Sequence, residues 1–164
     1  MKILGIDPGY AIVGYGILNY DGYKFRPLGY GAITTEAGTD FTLRLMDIYH
    51  DMETVLDTFK PDAMSIEKLF FNTNQKTGID VAQARGVIIL AAAERGVPVF
   101  EYTPLQVKQS VVGYGRAEKK QVMEMTRSIL GLASVPKPDD TADALALAIC
   151  HGHCSSAMLS IKIN

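Results

Sequence analysis

Residues 2–9 read Lys2-Ile3-Leu4-Gly5-Ile6-Asp7-Pro8-Gly9. A short apolar run that stops at a carboxylate and then a Pro-Gly turn is the pattern of a buried strand with an acid at its carboxyl end. Beyond it, 11–18 reads as a second strand carrying Gly14 and Gly16. Asp21-Gly22 is a hairpin signal that leads into a third strand over 23–34. Glycine weakens a strand unless another backbone must come close. Two glycines beside an acidic strand end predict an open surface facing a ligand.

The hydrophobic period then changes. Phe41, Leu45, Ile48, Met52, Val55 and Phe59 recur every three or four residues, one face of a helix. Thr39 or Asp40 can cap its start, and Pro61 marks its end. A short strand over 63–66 runs into Glu67, followed by a polar loop over 72–76 and a long helix from about 77 to 95, stopped by Gly96. Another strand spans 97–102. Thr103-Pro104 opens a helix that runs to 112, because proline suits the first helical position. Gly113-Tyr114-Gly115 breaks it, helix resumes over 117–130, and a last helix starts at about Asp139. Three hairpin-linked strands followed by alternating helices and strands predict an α/β fold, a five-stranded mixed sheet flanked by helices, with right-handed crossovers making its parallel half.

The composition suits such a domain. The chain has 164 residues, 48% hydrophobic and 21% charged, which argues against disorder and low complexity. No repeat or linker divides it, so one domain is expected over 1–158 with a short tail at 159–164. The longest apolar runs, such as 86–93, fall far below the ~20 residues that span a membrane. The four apolar or glycine residues between Lys2 and Asp7 are too few for a signal segment. These features lead us to expect a soluble, cytoplasmic protein. A net charge of −2 counts against a nucleic-acid coat protein but leaves room for a local basic patch. Cys150 and Cys154 cannot form a disulfide framework.

Four carboxylates stand at element ends. In open α/β sheets, ligands bind outside the carboxyl ends of the parallel strands. Asp7 and Glu67 both lie at such ends, and if their strands are neighbours they face each other across one inter-strand spacing, ~4.8 Å. Asp140 and Asp143, three residues apart on a helix, share a face. Each acid alone has an ordinary reading: a turn for Asp7, a solvated loop acid for Glu67, helix-start or surface charge for the aspartates. Placed together, four carboxylates cannot all stay ionised without a cation. Hard oxygen ligands suit Mg²⁺ or Mn²⁺, as two ions about 3.5–4 Å apart that activate a water and stabilise the leaving oxygen of a phosphodiester.

Several stretches together resemble the RuvC family of bacterial Holliday-junction resolvases. They are Ile3-Leu4-Gly5-Ile6-Asp7-Pro8-Gly9, Gly14-Tyr15-Gly16, Ser65-Ile66-Glu67 with Phe70, Gln83-Ala84-Arg85-Gly86, Gln106-Val107-Lys108 and Asp143-Ala144-Leu145-Ala146. The match runs in order from residue 3 to about 153. The resemblance implies a ribonuclease H-like fold, a homodimer, Mg²⁺ dependence and paired nicks in opposed strands of a four-way DNA junction, in recombination and repair. It places Asp7, Glu67, Asp140 and Asp143 on the family's catalytic, metal-binding carboxylates. Asp139 competes with its neighbour, and the spacing to Asp143 favours Asp140. The RuvA–RuvB branch-migration complex is the partner the resemblance implies.

An acidic DNA enzyme must gather its positive charge locally. Between residues 104 and 130, Lys108, Arg116, Lys119, Lys120 and Arg127 outnumber Glu118 and Glu124, a local net of +3. The alternative for these residues is an ordinary solvated helix face. The resemblance makes Lys108 and Lys119 phosphate contacts, and phosphate contacts make binding fall steeply with salt. It also makes Phe70, rather than Phe71, the apolar wedge that enters the junction. Asn72, Asn74, Gln75 and Lys76 offer a polar surface beside it, or simply a loop turn. Arg85 is expected to be structural, serving dimer or loop contacts. The small residues Gly78, Ala82, Ala84, Gly86 and 91–93 suit either a dimer seam or packing on the sheet. Cys150-His151-Gly152-His153-Cys154 is too tightly spaced for a usual zinc pattern and is read as a helix ending without metal.

Three other readings compete, one of them a related ribonuclease H-like nuclease acting on another nucleic-acid structure, which the carboxylates alone do not exclude. An actin- or sugar-kinase-like phosphotransferase also begins with an acidic strand end and glycines, but it needs two duplicated lobes. A catalytically silent junction binder would not need four carboxylates.

Overall fold

The computed structural model describes residues 1–69, 75–156 and 162–163; side chains at 75, 76 and 156 are not described. The Phe70 wedge, and Phe71, Asn72 and Asn74 beside it, lie outside the described residues. Among the described residues the elements follow in the order β1 (Lys2–Asp7), β2 (Ile12–Tyr20), β3 (Phe25–Thr34), α1 (Phe41–Phe59), β4 (Ala63–Glu67), α2 (Gln75–Glu94), β5 (Val99–Tyr102), α3 (Pro104–Val112), α4 (Lys119–Leu130) and α5 (Asp139–Ser156). No helix among the described residues is long and apolar enough to cross a membrane.

The five strands form one sheet in the order β3-β2-β1-β4-β5. β1 pairs antiparallel with β2 and parallel with β4, and β4 pairs parallel with β5. This is the mixed sheet expected from the sequence. Local chemistry sets its boundaries. In the β2–β3 hairpin, the Asp21 carboxylate accepts from the Tyr23 and Lys24 amides at 2.9 and 2.8 Å, while Gly22 takes φ 102°. Asp40 caps α1, and Lys60 ends it in the left-handed region before Pro61. Thr103 and Gln106 form a reciprocal capping box at the start of α3. Expected and observed ends differ by about two residues at α2, α4 and β5, where fraying and capping decide the boundary.

The sheet is buried on both faces. α1 and α2 cover one, with Leu4, Ile6, Val13 and Ile17 beneath them. α3, α4 and α5 cover the other, over Ile3, Leu18, Tyr102 and the apolar face of α5. Side chains alternate along a strand, so Ile3, Gly5 and Asp7 share the α5 face. Gly14, Gly16 and Leu18 of β2 share it too, as do Ala63, Ser65 and Glu67 of β4.

That alternation corrects one expectation. Gly14 and Gly16 do not open onto a ligand; both are buried under α5. A Cβ on Gly5 would stand 1.9 Å from the Ala144 carbonyl oxygen, and one on Gly14 would stand 2.0 Å from that of Asp140. At Gly16 it would strike the Leu145 side chain at 2.6 Å. The close backbone approach that excuses glycine in a strand is made by the protein's own helix. At its first turn, the Thr141 hydroxyl also donates to the Gly31 carbonyl at 3.1 Å, tying the helix to β3.

The chain end returns to the far side of the sheet. Lys162 bridges Phe100, and the Ile163 amide donates to the Val99 carbonyl at 2.9 Å.

A methyl group at the glycine seat should therefore be expensive. Gly14→Ala is expected to lower unfolding free energy by about 2–3 kcal/mol in urea titration, because the opposing atom is backbone and cannot rotate away. An unchanged midpoint and slope would mean that α5 is not seated on β2 in this way.

Candidate active site

Asp7 and Glu67 are each the last residue of their strand, one position beyond the Ile6–Ile66 pair of the parallel ladder. Both belong to the face on which α5 lies. The helix brings Asp140 in its first turn and Asp143 one turn later. A cleft of about 380 Å³ opens at this point, lined by Asp7, Glu67, Asp143, Lys108 and Lys119 over a floor that includes Val107 and Leu147. Asp140 adds its charge to the neighbourhood without lining the cleft.

The electrostatics record the crowding. The Asp7 carboxyl is pushed up to about 8, first by burial, then by the charges of Glu67, Asp143 and Asp140. Glu67 is raised by burial and then by Asp143. Asp143 is raised by burial, against the pull of Lys119, whose ammonium lies 2.7 Å from its carboxylate. Among the described residues, no three His, Cys, Asp or Glu side chains are close enough to hold a metal ion as they stand. Asp7, Glu67 and Asp143 share one cleft with Asp140 beside it, but they do not close into the tight cluster expected from the sequence. Asp143 is engaged with Lys119 instead. The donor set itself is all oxygen, anionic and partly desolvated, which fits a hard divalent cation.

Lys108 and Lys119 both reach the cleft, one from α3 and one from α4. Lys120 does not. It lines an adjoining groove with Lys119, Lys137 and Asp139. Arg116 is exposed in the turn between α3 and α4, outside the cleft lining. Lys137 was missed by the sequence reading. It sits 2.6 Å from Asp139 and holds that carboxyl below its usual range, so Asp139 is engaged outside the cleft. The apolar floor was also missed, because Val107 and Leu147 look like plain core residues until the helices are placed.

The cysteine–histidine segment forms the last turns of α5, the helix ending expected from the sequence. Cys150 is buried, with its sulfur 4.0 Å from that of Cys154. His151 is buried too, bonded through Nδ1 to the Tyr102 hydroxyl at 2.7 Å, and burial pushes it down to about 4. His153 meets Ser110. On α2 the small residues divide. Ala84, Ala91 and Ala92 are buried against the body of the protein, while Ile79, Gln83, Gly86 and Leu90 form an exposed stripe.

Comparison with known proteins fits this geometry. The family model described as crossover junction endodeoxyribonuclease RuvC matches residues 3–151. The chain belongs to the RuvC family. The RuvC of Ruminiclostridium cellulolyticum is 60% identical over 93% of this chain and 92% of its own, and that of Brevibacillus brevis is 61% identical over 92% and 91%. Thermus thermophilus RuvC, solved in complex with Holliday junction substrate, is 36% identical with a TM-score of 0.95, covering 99% of both chains. The ribonuclease H-like fold expected from the resemblance is therefore the fold of this RuvC family member.

The raised Asp7 carboxyl carries a sign that can be tested. Its folded value of about 8 lies above the ordinary 3.8, so the folded protein holds a proton that the unfolded chain releases. The stability linked to this group is complete below its unfolded value and is lost as pH rises through the folded one. In chelator, wild-type Tm should fall more steeply from about pH 6 to about pH 8.5 than that of Asp7→Asn. Added Mg²⁺ should raise wild-type Tm more than the variant's. Parallel pH profiles for the two proteins would contradict the assignment.

Proposed function

We propose that this protein resolves four-way DNA junctions by paired, symmetric, metal-assisted hydrolysis of phosphodiester bonds, as an enzyme of recombination and repair. The observation that carries this reading is the convergence of Asp7, Glu67 and Asp143 on one cleft with Lys108 and Lys119, in a member of the RuvC family. A structure of Thermus thermophilus RuvC with Holliday junction substrate supports the choice of substrate.

In this reading Asp7, Glu67, Asp140 and Asp143 hold the divalent cations through hard carboxylate oxygens. Two divalent ions held there, Mg²⁺ or Mn²⁺, would supply activation of the attacking water and charge for the leaving oxygen. Lys108 and Lys119 hold the phosphate at the cleft from two separately capped helices. Their charges neutralise it where Asp7 and Glu67 would otherwise repel it. Val107, Val122 and Leu147 keep that wall of the cleft dry, which strengthens each charge interaction there. Lys120 and Arg116 extend the positive surface along the flanking DNA. Phe70 remains the proposed wedge.

Opposed nicks call for two active sites related by a two-fold axis. The exposed α2 stripe of Ile79, Gln83, Gly86 and Leu90 is the proposed homodimer seam, since Ile79 and Leu90 offer apolar surface and Gly86 lets a second helix approach closely. Leu90→Glu is expected to convert dimer to monomer in sedimentation velocity, and a persistent dimer would move the seam elsewhere. The RuvA–RuvB complex is the proposed cellular company, to be sought by co-purification.

One assay on a synthetic four-way junction, with linear duplex as control, tests the chemistry. Wild type should make symmetric nicks only with Mg²⁺. Asp7→Asn and Glu67→Gln should cut at least about 100-fold more slowly while still binding, since they remove groups that act on the reacting phosphate. Lys108→Ala and Lys119→Ala should each flatten the dependence of log affinity on log salt by about 0.9 per lost phosphate contact. Wild-type cutting by either carboxylate variant would refute the site, and unchanged slopes in both lysine variants would place the DNA elsewhere.

A further inference from the structure

Glu67 is held from behind by groups that the chemistry above does not use. Its backbone carbonyl accepts a hydrogen bond from Arg85 Nε of α2 at 3.2 Å. The same guanidinium reaches the Glu101 carboxylate of β5 through Nη2 at 3.0 Å. The other oxygen of Glu101 takes the Lys68 ammonium at 3.1 Å, and Lys68 is the residue directly after Glu67. The Lys68 amide also donates to the Tyr102 carbonyl at 2.9 Å, carrying the β4–β5 ladder one residue past Glu67. A single carboxylate thus ties together the α2 helix and the residue that follows Glu67.

Arg85 and Glu101 are poorly exposed, with side chains only 16% and 21% accessible, so water screens their pairing weakly. Lys68 is more exposed, at 46%, and contributes less. The planar fork of Arg85 explains why arginine stands here. Its Nε and Nη2 donors serve a backbone carbonyl and a carboxylate at once, which an ammonium on a flexible stem cannot do in fixed geometry. The guanidinium bonds only the backbone of Glu67, so it leaves the carboxylate free to face Asp7.

We propose that Arg85 is the positioning residue for Glu67, braced by Glu101, and that the pair fixes the end of β4 so that the carboxylate presents to the cleft. The inference rests on the reading of Glu67 as an active-site acid. Groups one layer behind a metal-binding residue typically change activity or metal affinity by about 10–100-fold when removed.

Single-turnover cleavage of a four-way junction tests it, with Mg²⁺ titrated and junction binding measured separately in chelator. Arg85→Gln and Glu101→Gln should each lower the cleavage rate about 10–100-fold and raise the Mg²⁺ needed for half-maximal rate, with binding within about threefold of wild type. The double variant should lose no more than the worse single, because the two act as one unit. Arg85→Lys keeps the charge without the fork and should remain defective. Three outcomes overturn the proposal: wild-type rate and metal dependence in Arg85→Gln, full rescue by Arg85→Lys, or a loss that appears equally in junction binding. If Glu67→Gln itself cuts normally, the site reading has failed instead.

Discussion

The close seating of α5 on the glycines of β1 and β2 is the contact on which the rest of the molecule depends. Gly5 and Gly14 meet the helix through backbone atoms alone, leaving no room for a methyl group. Because nothing intervenes, the helix lies at a height fixed by main-chain contact rather than by adjustable side-chain packing. Its first two turns then come level with the ends of β1 and β4. The relative placement of carboxylates from three distant parts of the chain thus follows from the absence of side chains beneath them.

That placement is electrostatically unfavourable by itself. Burial and like charge raise Asp7 and Glu67, and Lys119 provides the nearest compensation through Asp143. Such tension is the usual signature of a site shaped for its ligand rather than for the stability of the apo protein. The hydrophobic core elsewhere is conventional, with both faces of the sheet covered, and it supports the strain of the cleft without contributing to it.

Much of this was legible in the sequence because it is local. Strand ends at Asp7 and Glu67, the helix period from Phe41, the Thr103-Pro104 start and the Asp140–Asp143 spacing all rest on short-range patterns that the fold obeys. The glycines of β2 were misread because a strand cannot say which backbone approaches it; α5 lies more than 120 residues later in the chain. Arg85 was left without a specific partner for the same reason. Its role depends on Glu101 of a different strand, and no spacing rule connects the two. Lys120 and Arg116 carry positive charge that the sequence displays, but which of the bases line the cleft depends on tertiary placement: Lys120 faces an adjoining groove and Arg116 sits in the turn before α4.

The two borders of the sheet have a consequence for how copies of this chain can meet. β3 carries Pro27, which lacks an amide hydrogen, and its register with β2 is broken between Ile17 and Leu18. At the opposite border, Lys162 and Ile163 already occupy positions beside β5. A strand from another molecule would find an interrupted row of partners on one side and a filled one on the other. Extension of the sheet from copy to copy is therefore discouraged at both margins. Any pairing of copies would then have to use helical faces rather than strand borders.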